Sequence, residues 1–224
     1  MANQISGTST TGANMPRNED QRSNQSLLSQ LFVAILLIAG GVALRLYFRY
    51  IPNFAPVAAL ALFAGFYFRS WTIAILVPVS VMLISDQVIG GYSWPLMVTV
   101  YAMLGLPIAI RTLLRRNVDL QPSNTSRRVS IARVTKTSAV IAGSCLGASL
   151  LFFAVTNLAV WQFTSLYESS FSGLSQCFAS ALPFFRYTLL GDLTFATALF
   201  GGYALILRVS TVQARRTSEL AQQA

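Results

Sequence analysis

Apolar residues in this chain occur in long runs that carry few charges, and the first run, residues 27–47, is long enough to cross a bilayer as a helix. The chain of 224 residues is 54% hydrophobic and only 10% charged, whereas soluble domains carry about 25% charged residues. The deficit of charge and the long apolar runs together predict a polytopic membrane protein.

The apolar pattern predicts an all-α fold, a membrane bundle of about six transmembrane helices. The six apolar segments are residues 27–47, 56–68, 72–85, 95–114, 138–157 and 184–207. The second and third are short, and at ~1.5 Å per residue each reaches only about 20 Å. Residues 1–26 are polar and are predicted to be a disordered tail. Residues 27–208 would form the transmembrane domain, and residues 209–224 a cytoplasmic C-terminal tail.

Basic residues concentrate on one side of the predicted bundle. With the N-terminus inside, thirteen of the sixteen basic residues fall in cytoplasmic segments, seven of them in the predicted loop 111–137. Because Lys and Arg favour cytoplasmic loops, this distribution predicts a multi-pass protein of the bacterial inner membrane with both termini in the cytoplasm. The basic loop would set the topology and touch anionic lipid, or else dock a cytoplasmic partner. Nucleic acid is not indicated.

Several kinds of chemistry are disfavoured by residues that the sequence lacks. There is no histidine, the commonest general base and a frequent metal ligand. There is no Gly-x-x-x-x-Gly-Lys-Ser/Thr motif, so no P-loop that could hydrolyse ATP is expected. Cys145 and Cys177 have no neighbour at metal or redox spacing. We therefore predict a protein that is not an enzyme and that uses neither a cofactor nor a metal.

Polar residues that break the membrane pattern gather at the predicted outer end of the bundle. Residues 52–56, Pro-Asn-Phe-Ala-Pro, form a proline-bracketed turn before a short apolar helix. Irregular backbone at membrane depth is tolerated where protein or a water-filled cavity satisfies it. The turn is thus expected to cover an outward-facing cavity whose floor is residues 57–65. Because intramembrane charges usually mark functional sites, the predicted substrate-binding residues are Arg45, Arg49, Asn53, Asp86, Asn157, Trp161, Arg186 and Asp192.

Each charged member of this set also has a structural explanation. Arg45 and Arg49, four residues apart, would share one helix face if the first helix continues that far, and they could snorkel to outer head groups. Asp86 and Asp192 could form internal ion pairs with Arg45 or Arg186. The sequence alone leaves these alternatives open.

A stripe of small residues marks a second predicted surface on the first helix. Ala39, Gly40 and Ala43 lie within one such stripe, and small residues let helix backbones approach closely. The stripe would either pack inside the bundle or dock another membrane protein.

Several segments resemble an uncharacterised family of bacterial six-helix membrane proteins described as transport proteins. These segments are residues 52–65, 85–86, 152–157 and 183–192. The resemblance covers residues 45–200, and that family is in turn similar to the substrate-binding S components of energy-coupling-factor transporters. It implies a subunit that captures a small vitamin-like or other organic solute at the outer face. A membrane coupling subunit, docked on the stripe at residues 39–43, and cytoplasmic ATPases would supply the energy.

Two other classes of protein remain alternatives. One is a membrane scaffold or assembly protein whose charges form internal salt bridges. The other is an intramembrane enzyme in which Asp86 and Asp192 act as a paired acid and base.

Overall fold

The computed structural model describes residues 16–91, 93–121 and 127–223, and within these ranges the fold is entirely helical, without a β-strand. The helices are α1 (Pro16–Tyr47), α2 (Val57–Tyr67), α3 (Trp71–Ile89), α4 (Trp94–Met103), α5 (Gly105–Ala109), α6 (Arg111–Asn117), α7 (Arg127–Phe163) and α8 (Phe171–Gln223). Helices α4 to α6 are consecutive pieces of one apolar stretch, Trp94–Asn117. The described chain therefore has six helical units, and the all-α prediction is confirmed for it.

Five of these six units are long and apolar enough to cross a membrane. The spans are Leu27–Tyr47, Trp71–Ile89, Trp94–Asn117, Ile131–Phe163 and Phe171–Gln223. On α1 the side chains of Leu28, Phe32 and Ile35 are between 62% and 66% exposed. A large exposed apolar surface of this kind suits contact with lipid or protein better than contact with water. The fold is therefore compatible with a membrane protein.

The sixth unit, α2, lies in the middle of the bundle. It has only 11 residues, which makes it about 17 Å long, and eight of them are buried. Small residues allow neighbouring helices to approach it closely: a Cβ added at Gly65 would lie 3.2 Å from the Cα of Ile108 in α5. Protein surrounds most of this short helix, so its length does not have to match the thickness of the bilayer.

Two arginines of α6 cap the C-terminal end of α2. Arg111 Nη2 donates hydrogen bonds to the carbonyls of Phe68 and Arg69 at 3.1 and 2.6 Å. Arg115 Nε donates to the carbonyl of Phe66 at 3.0 Å. The last carbonyls of a helix have no partner within it, and a helix C-terminus attracts cations. These arginines of the predicted loop therefore have a structural role in addition to any effect on topology.

The helix ends differ from the predicted ones at both termini. α1 begins at Pro16, inside the segment predicted to be a disordered tail, while residues 1–15 lie outside the described residues. α8 begins at Phe171, well before residue 184, and continues to Gln223 through the predicted C-terminal tail. The added C-terminal residues include Ala, Arg, Gln, Glu and Leu, which favour helix in water as well as in lipid, so the helix does not stop where the apolar run stops.

The predicted basic loop 111–137 is also mostly helical. Its first residues form α6, and α7 begins at Arg127, which leaves a connection of residues 118–126 of which the structure describes 118–121. The predicted single helix 95–114 is interrupted near Gly105 and Pro107, because proline lacks the backbone N–H that a continuous helix needs.

Candidate functional site

A cavity of about 270 Å³ lies between α4, α7 and α8; we call it the α4–α7–α8 cavity. Its apolar wall consists of Leu96, Val100, Phe152, Phe153, Ala159, Val160, Ala181 and Phe184. Its polar groups are Asn53, Thr99, Thr156, Asn157 and Thr188. Among the described residues that line it, none belongs to α2. The expectation that residues 57–65 form the cavity floor is therefore wrong, because α2 packs against other helices at the centre of the bundle.

Three of the polar side chains of this cavity form hydrogen bonds to the backbone of their own helices. Thr99, Thr156 and Asn157 each donate a hydrogen bond to the carbonyl four residues earlier, at 2.9, 2.7 and 2.7 Å. A threonine hydroxyl has one hydrogen, so these bonds leave the hydroxyl oxygens, and the amide oxygen of Asn157, as acceptors. A ligand would therefore meet several hydrogen-bond acceptors on an apolar wall, together with the second N–H of Asn157 and the amide of Asn53 as donors.

Residues 52–56 place Asn53 at the edge of this cavity. The Phe54 ring anchors the segment to α8, with its centroid 5.3 Å from that of Phe195. A Cβ added at Gly191 would lie 3.3 Å from the backbone nitrogen of Ala55, so a side chain at this position would require the segment to move away by a few tenths of an ångström. Asn53 is exposed and has φ of 58°, in the left-handed region that asparagine tolerates better than most residues.

Arg45 and Asp86 form a buried ion pair where α1, α3 and α4 meet. Arg45 Nη1 lies 2.6 Å from Asp86 Oδ1 and also donates to the hydroxyl of Ser85. The second carboxylate oxygen, Asp86 Oδ2, accepts a hydrogen bond from the hydroxyl of Tyr101 at 2.9 Å. Neither charged residue lines the α4–α7–α8 cavity. This geometry matches the structural alternative for the two residues.

Asp192 occupies a second buried position, at the contact between α8 and α7. Its Oδ2 lies 2.5 Å from the hydroxyl oxygen of Ser149, and the residue is 4% exposed. In the part of the chain that the structure describes, no basic side chain forms an ion pair with it. The alternative pairing with Arg186 is absent because Arg186 is exposed and bonds to the hydroxyl of Tyr187 at 3.1 Å.

Arg49 and Trp161 make local contacts at the ends of helices. α1 ends at Tyr47, so Arg49 does not continue its helix, and its guanidinium bonds to the hydroxyl of Tyr50 at 2.6 Å. Trp161 Nε1 donates to the carbonyl of Glu168 at 2.9 Å, which ties the end of α7 to the turn that precedes α8. The two arginines therefore do not share a helix face, because α1 does not continue to Arg49.

The structure thus brings two of the predicted substrate-binding residues, Asn53 and Asn157, to one cavity. The sequence analysis missed the cavity threonines and the hydroxyl partner of Asp192. One signal for them was present: Ser149 and Thr156 are hydroxyl residues in an apolar helix, spaced by about two turns and so on one face. The sequence pattern favours the charged residues over these hydroxyl residues, because charges within a membrane usually mark functional sites.

The predicted docking stripe faces outward. Ala39, Gly40 and Ala43 are all exposed, whereas Gly41 beside them is buried. A Cβ added at Gly41 would lie 2.6 Å from Leu60 Cδ1 of α2, and one at Gly40 would meet nothing within 4 Å. Packing inside the bundle therefore uses Gly41, and the stripe itself is not covered by any described part of the chain.

The described residues offer no obvious metal site. No group of three or more His, Cys, Asp or Glu side chains among them could hold a metal ion. Cys145 and Cys177 are both free thiols buried in the fold.

In the described part of the chain, the all-helical fold has five membrane-length apolar helices and one central short helix, which is compatible with a polytopic membrane protein. The chain belongs to the family of unknown function DUF6580, whose model matches residues 25–215. Comparison with curated proteins and with solved structures finds no match. The similarity to S components therefore receives no support from these comparisons.

Proposed function

We propose that this protein is the substrate-binding subunit of a bacterial inner-membrane uptake transporter, and that it binds a small organic solute in the α4–α7–α8 cavity. The observation that carries the proposal is the composition of this cavity, an apolar wall with a few fixed polar groups. Ligand sites commonly combine these two features, and their volumes usually span roughly 300–1,000 Å³. This cavity, at about 270 Å³, lies just below that range and therefore favours a small solute.

The cavity favours an uncharged solute with hydrogen-bond donors. None of the described side chains that line it carries a formal charge, and burying an unpaired charge is costly. Its threonine oxygens and the Asn157 amide oxygen would accept hydrogen bonds from N–H or O–H groups. Phe152, Phe153 and Phe184 would cover a planar or apolar face. Nucleobase-like and uncharged vitamin-like compounds have this chemistry.

The proposal also includes an orientation and partners. Both termini lie in the cytoplasm, the cavity opens on the outer side, and a separate coupling subunit with cytoplasmic ATPases supplies energy. The exposed stripe of Ala39, Gly40 and Ala43 supports a docking role, since close helix contacts use small residues. The absence of a P-loop in the sequence is consistent with energy supplied by another chain.

A scaffold or assembly protein is the second candidate. The buried pair of Arg45 and Asp86 favours it, because two charges predicted to bind a solute instead hold helices together. A scaffold would show no dependence on a solute, which separates the two proposals.

The proposed function is tested by the melting temperature of the purified protein with nucleobases, nucleosides and uncharged vitamins. A solute at about 100 times its Kd stabilises the folded state by about 2.7 kcal/mol, so at least one compound class is expected to raise the melting temperature. Asn157→Leu should make this rise clearly smaller, because a tenfold weaker affinity roughly halves the stabilisation at the same solute concentration. Asn117→Leu is the matched control, since Asn117 makes the same bond to the carbonyl four residues earlier, at 3.0 Å, outside the cavity. If no compound stabilises the protein, or both variants respond like the wild type, the proposal fails.

A further inference from the structure

Three arginines meet at the C-terminal end of α2. Arg111 and Arg115 of α6 both donate a hydrogen bond to the same acceptor, the carbonyl oxygen of Phe68. The charges of Arg69 and Arg111 both act on the guanidinium of Arg115. We call Arg69, Arg111 and Arg115 the arginine cluster. None of them lines the α4–α7–α8 cavity, so the cluster lies apart from the proposed solute site.

The arginine cluster carries three positive charges that no described carboxylate neutralises. Within the part of the chain that the structure describes, no ion pair includes a member of the cluster. The carbonyl dipoles at the end of α2 attract the cations, but a helix C-terminus is equivalent to only about half a negative charge. Because like charges at short distance repel one another, an anion bound beside the cluster would lower the electrostatic energy of the folded protein.

The members of the cluster differ in how they can meet an anion. Arg69 and Arg115 are exposed. The backbone carbonyl of Arg69 accepts a bond from Arg111, whereas the Arg69 guanidinium makes no hydrogen bond to a described residue. Arg111 is only 5% exposed, and its Nη1 has no hydrogen-bond partner in the described part of the chain. Arg69 and Arg115 can therefore contact a ligand, while Arg111 adds its charge from a buried position.

An apolar surface of α3 begins beside the arginine cluster. The ring of Trp71 lies 4.9 Å from the guanidinium carbon of Arg111. Trp71, Ile75 and Leu83 are 50%, 42% and 48% exposed, and the rise from Trp71 to Leu83 is roughly 18 Å. One leaflet of the hydrocarbon core is about 15 Å thick, and tryptophan is enriched where a membrane meets water. The surface therefore has the length of one acyl chain and has cations at one end.

We propose that the arginine cluster binds the head group of one anionic phospholipid. The phosphate lies against Arg69 and Arg115, and an acyl chain follows Trp71 and Ile75 along α3. The forked N–H groups of arginine match the oxygens of a phosphate, and basic sites at the cytoplasmic side of membrane helices suit anionic head groups. A lipid fits better than a free phosphate because the apolar surface of α3 continues directly from the cations.

The charge requirement is tested by native mass spectrometry of the full-length protein titrated in detergent with phosphatidylglycerol or phosphatidylcholine. Arg69→Gln should bind phosphatidylglycerol roughly fivefold more weakly, which corresponds to about 1 kcal/mol, the contribution of one basic residue near an anionic lipid. Because the Arg69 guanidinium holds no described residue by a hydrogen bond, the variant should keep the melting temperature of the wild type.

Arg216→Gln is the matched control, since it removes the same charge from an exposed position near the end of α8. Tyr203 of α8 contacts Tyr67 at the end of α2, and Arg216 lies roughly 20 Å further along the helix, beyond the range of an unscreened charge. This control should change the affinity less than twofold. Equal loss in the two variants, or equal affinity of the wild type for both lipids, would overturn the proposal.

The need for an acyl chain is tested by competition with glycerol 3-phosphate, which has the phosphate but no chain. A roughly tenfold molar excess of this compound should leave most of the phosphatidylglycerol bound, because it makes no contact with the apolar surface of α3. If glycerol 3-phosphate displaces the lipid at an equal concentration, the cluster is a site for soluble phosphates and the lipid site is wrong.

Discussion

Two buried carboxylates, Asp86 and Asp192, have different surroundings and should respond differently to substitution. Asp86 faces the guanidinium of Arg45 and the hydroxyl of Tyr101. Asp192 faces the hydroxyl of Ser149. An ion pair inside a protein depends on both charges, because removing one leaves the other buried without compensation. A carboxyl group that contacts a neutral hydroxyl has no such requirement.

Breaking the Arg45–Asp86 pair should destabilise the protein strongly. Arg45→Met leaves Asp86 buried without its cation, and loss of one partner of a buried pair costs about 3–5 kcal/mol. Arg45→Met/Asp86→Leu removes both charges and should recover most of this loss. The measurement is the melting temperature of the purified variants. Arg49→Met is the control, and it should change little because Arg49 is exposed and contacts its neighbour Tyr50. A double variant no more stable than Arg45→Met would show that the pair is not an isolated structural unit.

The two carboxylates can also be compared through the same substitution. Asp192→Asn keeps an oxygen that can accept from Ser149 and should lower stability by less than about 1 kcal/mol. Asp86→Asn leaves Arg45 without its counter-ion and should cost several times more. Melting curves of the two variants, recorded in one buffer, test this order. Equal losses would contradict the distinction drawn from their contacts.

Helix α1 has a buried face and an exposed face. The adjacent residues Gly41 and Gly40 lie on the buried and the exposed face, respectively. Gly41 packs against Leu60 of α2 and Val81 of α3, while Gly40 meets nothing within 4 Å. The exposed face carries the small residues proposed to dock a coupling subunit. The buried face also carries Ala34 and Arg45, so the position of α1 depends on close packing at Gly41 and on the ion pair.

Substituting the two glycines tests which face of α1 packs inside the bundle. Gly41→Ala places a Cβ 2.6 Å from Leu60 Cδ1, and overpacking of this kind costs about 1–3 kcal/mol. Gly40→Ala has free space and should be neutral or slightly stabilising, because alanine favours helix more than glycine does. Thermal melting of both variants checks the difference. The assignment of the two faces fails if Gly40→Ala is the more damaging change.

The segment 52–56 and helix α8 pack against each other beside the α4–α7–α8 cavity. Gly191 leaves room for the backbone at Ala55, and Phe54 contacts Phe195. Gly191→Leu should therefore displace this segment and move Asn53 from the cavity edge. The expected result is weaker solute-induced stabilisation at a nearly unchanged level of expression. A response to solute identical to that of the wild type would show that the segment does not shape the site.

Helix α2, which is too short to span a bilayer alone, runs between the two ends of the bundle. α2 starts near the end of α1 that carries Arg45, and its C-terminal end is capped by Arg111 and Arg115. The cation of Arg111 also lies 4.9 Å from the ring of Trp71, where α3 begins. α3 then returns to the Arg45 end, where Asp86 forms its ion pair. The buried α2 therefore links the two ends of the bundle, and the proposed topology counts it as a sixth crossing beside the five membrane-length helices.

An even number of crossings predicts that both termini are on the same side. Green fluorescent protein fused after residue 224 should fluoresce, because it matures in the cytoplasm. Alkaline phosphatase fused near residue 91 or residue 166 should be active, because those turns would lie outside. Active phosphatase at the C-terminus would contradict the proposed orientation, and active phosphatase at both residue 166 and the C-terminus would also contradict the crossing number.

The helices could be predicted from the sequence more completely than the site could. Apolar runs such as residues 27–47 indicate helices because length and hydropathy are local properties of the chain. The interruption at Pro107 and the extension of α8 depend on backbone bonding and on polar helix formers beyond the membrane. The position of Thr99 in the cavity depends on which faces of α4, α7 and α8 pack together. This packing involves residues far apart in sequence, so local patterns do not predict it. Asn53 and Asn157 were predicted because a polar amide is conspicuous near a membrane helix.

The most direct test of the account is the equilibrium affinity of the α4–α7–α8 cavity for the compound that best stabilises the protein. Native mass spectrometry can measure the bound fraction over a titration for the wild type, Asn157→Leu and Asn117→Leu. Loss of a hydrogen bond in a buried site costs about 1–3 kcal/mol, so Asn157→Leu should weaken binding roughly fivefold to 150-fold, while Asn117→Leu should bind like the wild type. Equal affinity of the wild type and Asn157→Leu would contradict the assignment of this cavity as the solute site.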